Sequence, residues 1–98
     1  MGRRIRTYPQ YNSEAYTYTI NFNRATTKAG SSVSSVVWST DETSIMSISG
    51  EALASNKATA LLTASATNTG IARISVLATL ANSEKVRMYF DVNVAEER

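Results

Sequence analysis

The chain has 98 residues, a formal net charge of +2, and neither Cys nor His. That is one domain's length, without disulfides, thiolate metal sites or Cys nucleophiles, and without the commonest general base and metal ligand. No run approaches the roughly 18 apolar residues of a membrane span, and the Gly-Arg-Arg-Ile-Arg after Met1 leads into no apolar signal segment.

Residues 1–14 read as an extended N-terminal arm. They carry Arg3, Arg4 and Arg6, the sole proline (Pro9), and Tyr8 and Tyr11 among polar spacers, with no periodic apolar face. Pro9 fixes its own φ and pushes Tyr8 towards extended geometry. Residues 1–28 hold five cations against Glu14, a local charge of +4.

Residues 15–98 read as one all-β domain. In 15–23, Tyr16, Tyr18, Ile20 and Phe22 alternate with Thr17, Thr19 and Asn21, the period of a half-buried strand. Residues 24–32 read as a loop. Residues 33–39 form a second strand, with Val36 and Trp38 on one face and Val33 and Val37 on the other. The lone Trp belongs in the core. Thr40–Thr43 is a turn, 44–49 a short strand closed by Gly50, and 51–56 a further short strand. Residues 58–66 alternate Ala and Leu with Thr and Ser; alanine favours helix, but the alternation favours a strand.

The last two strands are the clearest. Residues 71–80 place Ala72, Ile74, Val76, Ala78 and Leu80 on one face. After the polar loop 81–84, residues 85–94 place Val86, Met88, Phe90, Val92 and Val94 inward. That pattern predicts an antiparallel hairpin. About seven short strands with polar turns make an immunoglobulin-like antiparallel β-sandwich with an extended N-terminal arm.

Little in the chain points to chemistry. Serine lacks a His partner, and the three lysines fall in loops or at strand ends. Asp41, Glu42, Glu51, Glu84 and Asp91 fall in turns or on outward positions, where solvation explains them. Asp41-Glu42-Thr43 is too poor in carboxylates for a metal site, and Gly30, Gly50 and Gly70 are isolated, so no phosphate loop exists. No catalytic residue, cofactor or metal is nominated. The arm's Arg and Tyr residues suit single-stranded nucleic acid in type, but residues 29–98 carry five cations against seven acids. An acidic protein surface suits the arm better.

Several segments carry a family resemblance. The Tyr8-Pro9 arm leads to Tyr-x-Ile-x-Phe (Tyr18–Phe22). Val-x-x-Val-x-Trp (Val33–Trp38), a Ser/Thr-rich middle, a Thr69-Gly70 turn and a closing Val-x-Val (Val92–Val94) follow. Together they resemble the small immunoglobulin-like virion proteins of tailed bacteriophages, of the fibre-tail adaptor and capsid-decoration types. Where that family is richer in Gly, this chain has Ala58–Ala66.

The resemblance implies a non-enzymatic structural protein, present in multiple copies of a symmetric virion assembled in the host cytoplasm. Its partners would be tail, fibre or major capsid proteins, with no direct nucleic-acid or membrane contact. The first expectation is a tail-fibre adaptor docking through Arg3, Arg4, Arg6, Tyr8 and Tyr11; the alternative is a decoration protein stabilising the head. A third reading is a glycan-binding or adhesive module using outward aromatics such as Tyr89.

Overall fold

A computed structural model of the chain describes residues 6–96. The elements in order are β1 (Arg6–Tyr11), β2 (Ala15–Asn21), α1 (Asn23–Ala29), β3 (Val33–Thr40), β4 (Met46–Ala54), β5 (Lys57–Ala64), β6 (Gly70–Leu80) and β7 (Lys85–Ala95). They form two packed sheets, β1-β7-β6-β3 and β2-β5-β4. This is the immunoglobulin-like sandwich that strand count and alternation predict.

The core sits between the sheets and follows from period two. Ala58, Ala60, Leu62 and Ala64 of β5 alternate inward against Ala72, Ile74, Val76 and Ala78 of β6 and Phe90, Val92 and Val94 of β7. The small alanines leave room for Phe22, Met46 and Trp38. Each large side chain removed from water contributes about 1.5–3 kcal/mol.

Four local features differ from the sequence expectation. Of the segment read as an arm, residues 6–11 form an edge strand, parallel to β7 from Arg6 opposite Phe90 to Tyr11 opposite Ala95. Hydrophobic pattern cannot find this strand because its one buried residue is Gln10.

The expected loop at 24–32 contains α1, which carries the chain from one sheet to the other. Asn21 Oδ1 accepts the Asn23 N–H at 2.8 Å at its start. At its end Gly30 takes φ +66, and the N–H groups of Gly30 and Ser31 donate to the carbonyls of Thr27 and Thr26.

The two short strands expected over 44–56 are one strand, β4, interrupted by a bulge between Ser49 and Ala52. Ser55 and Asn56, both at positive φ, turn it into β5. In β3 an irregularity between Val33 and Ser35 shifts the register, so Val33 packs on the same core as Val36 and Trp38 while Val37 is 60% exposed.

Candidate functional site: the open side of the sandwich

The residues nominated from sequence do not form one cluster. Arg3 and Arg4 lie outside the described residues. Arg6 and Tyr8 sit on the side of the sandwich where β1 of one sheet and β2 of the other run side by side. Tyr8 turns inward, its ring meeting Tyr18 edge-on at 5.6 Å and Phe90 at 5.7 Å. Tyr18 in turn stacks on Phe90 at 5.2 Å. Tyr11 faces the opposite way at the far end of β1, 48% exposed.

Gln10, missed by sequence reasoning, fastens β1 across the sandwich. It is 2% exposed. Its Nε2 donates to the carbonyls of Glu14 (2.6 Å) and Leu62 (3.1 Å), and its Oε1 accepts from the Tyr18 hydroxyl at 3.0 Å. Buried polar groups are tolerated when paired this way. Burial, with smaller contributions from Tyr16, Tyr8 and Glu14, raises the Tyr18 phenol above its ordinary value.

The outer edge of β1 is guarded at Pro9 and Tyr11. Pro9 has no N–H to offer. The Tyr11 N–H donates to Glu14 Oε1 at 2.8 Å, and the Tyr11 carbonyl accepts the Glu14 N–H at 3.1 Å. Residues 6–14 of the expected arm are therefore already docked, within their own domain.

Two clefts open along this side. One of about 240 Å³ lies between Arg6, Tyr8, Met88 and Phe90 on one wall and Tyr18, Ile20 and Asn21 on the other. The larger, about 910 Å³, is floored by Phe22, Leu80 and Met88 and ringed by Arg6, Arg24, Lys28 and Lys85, with Glu84 the one acid among its lining residues. These cations come from β1, α1 and the start of β7, so their convergence is a product of topology. The only sequence hint is the excess positive charge of residues 1–28.

At the opposite end, beside the β3–β4 and β5–β6 connections and the end of β7, lie Glu14, Asp41, Glu42 and Glu96. Arg73 there is held by Asp91, with Nε to Oδ1 at 2.9 Å. Among the described residues the α1 end is thus basic and the other end acidic.

Tyr89, the aromatic of the glycan reading, is 45% exposed on the outer face of β7, within 3.5 Å of Arg87 Nη1. It borders the smaller cleft, whose lining also includes the partly exposed ring of Tyr8. Among the described residues no three acidic side chains come together as a metal cluster. No protein-family model matches the chain, and no curated protein matches it.

Proposed function

We propose that this chain is a non-enzymatic structural module that joins protein subunits, in the setting its sequence resemblance implies: a tailed-phage virion, most concretely at the junction of tail and fibre. The observation that carries the docking role is the cleft with an apolar floor and four cations at its rim. Such a surface fits an acidic, partly apolar protein patch, where the floor supplies contact area and the rim supplies orientation and steering. Arg6 keeps its place at the contact. Arg24, Lys28 and Lys85 join it, while Tyr11 and the inward Tyr8 carry less of it.

Removing residues 2–11 is not a clean test, because it deletes β1 and buried Gln10. Point changes on the surface of α1 are. Particles would be purified from cells producing the phage that encodes the chain, and the chain counted per particle by quantitative peptide mass spectrometry. The native chain is expected at a ring's worth of copies. Arg24→Glu with Lys28→Glu should reduce incorporation by roughly tenfold or more, the scale of about 1.4 kcal/mol or above per docked copy. Normal incorporation of that variant refutes docking through the cleft. Absence of the native chain from particles refutes the virion setting, and copies spread over the head in place of a ring favour the decoration role.

A further inference from the structure

β2 is an outer strand of the three-stranded sheet, and it is the least protected edge among the described residues. Its ladder with β5 runs through seven consecutive pairs without a bulge. Two bonds bracket that ladder: Ala64 N–H to the Glu14 carbonyl, and Phe22 N–H to the Asn56 carbonyl, both 2.9 Å. Antiparallel bonding recurs at every second residue. The even-numbered residues therefore bond to β5, and Ala15, Thr17, Thr19 and Asn21 turn their N–H and C=O groups to the open side.

Sheet edges in soluble proteins usually carry a guard. β1 has Pro9 and the Glu14 cap. β3 has its irregularity after Val33, and β4 has a bulge that includes Glu51. β2 has no charge, no proline and no bulge. Its inward side chains are also unfinished: Tyr16 is 48% exposed, and Tyr18 and Ile20 are only partly covered. Tyr18 and Ile20 line the smaller cleft.

We propose that the open edge of β2 is a strand-addition site that takes an extended, acid-bearing segment of a partner protein, antiparallel to β2. This rests on the docking reading above and names how the partner engages. Backbone bonds to Thr17 and Thr19 would supply the pairing, and alternate apolar side chains would enter the cleft beside Tyr18 and Ile20.

β1 stands beside β2, as the Tyr8–Tyr18 ring contact requires, and the charge around that edge selects the occupant. Arg6, Arg24 and Lys28 stand at the Asn21 end of β2, where an antiparallel segment places its first residues. Acidic groups therefore belong at the segment's N-terminal end.

The test uses the full chain, isotope-labelled for amide hydrogen exchange. The probe is a synthetic peptide of two aspartates followed by three Val-Thr repeats, with the reversed sequence as control. At about 1 mM peptide, a Kd of about 0.1 mM would slow exchange at Thr17 and Thr19 roughly tenfold. The reversed peptide should protect less. Thr19→Pro should abolish the effect: its N–H points away from β5, so proline removes a donor from the open edge and no bond from the ladder. Thr17→Pro is the second such variant, should the first fail to show native Trp38 fluorescence. Unchanged exchange at Thr17 and Thr19, or protection appearing instead along β3 or β4, overturns the proposal.

Incorporation into particles separates the two claims. Loss with both Thr19→Pro and Arg24→Glu/Lys28→Glu supports strand addition. Loss with the charge variant alone overturns strand addition and leaves the docking reading standing. Loss with neither overturns both.

Discussion

Gln10→Ala tests whether the N-terminal strand is a built part of the sandwich. The substitution removes three hydrogen bonds: two donated to the Glu14 and Leu62 carbonyls and one accepted from Tyr18. Each is worth about 1 kcal/mol net. The Glu14 carbonyl keeps the Ala64 N–H, so the full desolvation penalty falls chiefly on the Tyr18 hydroxyl. A void adds to the loss, because the side chain is fully enclosed. The three bonds alone come to about 3 kcal/mol, a large share of the roughly 5–15 kcal/mol that holds a domain together.

At this size that lowers Tm by about 12–24 °C. Gln10→Met keeps most of the volume and should lose about 3 kcal/mol, the share of the bonds without that of the void. Urea unfolding followed by Trp38 fluorescence measures both, and m should not change if β1 stays docked in the native state. A double-mutant cycle with Tyr18→Phe should return a coupling of about 1 kcal/mol. A loss below about 1 kcal/mol for Gln10→Ala, the size of an ordinary surface change, would refute the view that Gln10 fastens β1 across the two sheets.

Two further outcomes follow from the same geometry. Gly70 has φ +135, and a Cβ there would meet Ile45 Cδ1 at 3.0 Å, whereas Gly30 has φ +66 and open space around it. Gly70→Ala should therefore cost about 2 kcal/mol and Gly30→Ala about 1 kcal/mol; equal losses by chemical denaturation would show that the Ile45 contact is immaterial. The Tyr18 phenol is raised above 10.0, first by burial. A raised folded-state value means that the stabilisation is complete below pH 10.0 and is lost as pH climbs through Tyr18's own value, where the tyrosinate can no longer donate to Gln10. Stability against pH in the alkaline range should fall less steeply for Tyr18→Phe, and identical slopes would contradict the assignment.

Much of the fold is legible in the chain because its long strands obey a simple rule. β5, β6 and β7 alternate over eight or more residues and bury one alternating set, as expected of the inward residues of β7, whereas in β2 Tyr18 and Ile20 are only partly covered and Tyr16 is exposed. The rest fails for physical reasons. β1 owes its place to Gln10, a polar residue whose three partners lie elsewhere in the chain. Its neighbour β7 is about eighty residues away, and parallel pairing leaves no local turn to announce it. α1 is seven residues long and ends on Gly30, so it reads as the loop around it. A single irregularity near Val33 moves one valine from the outer face to the core.

The candidate site is harder still to see. Its cations belong to three separate elements, and its open backbone edge is a property of strand order, which side-chain sequence does not encode. Arg3 and Arg4, prominent in the sequence, lie outside the described residues. Tyr8 and Tyr11, three positions apart, end on opposite faces of one strand.

The parallel pairing of β1 with β7 also fixes how the domain bears load. The chain enters at Arg6 and leaves at Ala95, at opposite ends of two adjacent strands that run the same way. A pull along the strands between the preceding and following segments slides β1 and β7 past each other in shear. The six residue pairs of that ladder then take the force together, where a hairpin pulled at its open end would yield one bond at a time. Gln10 adds a cross-brace to the second sheet at the same point. A domain held by its two ends in this way resists tension at the strands that first receive it.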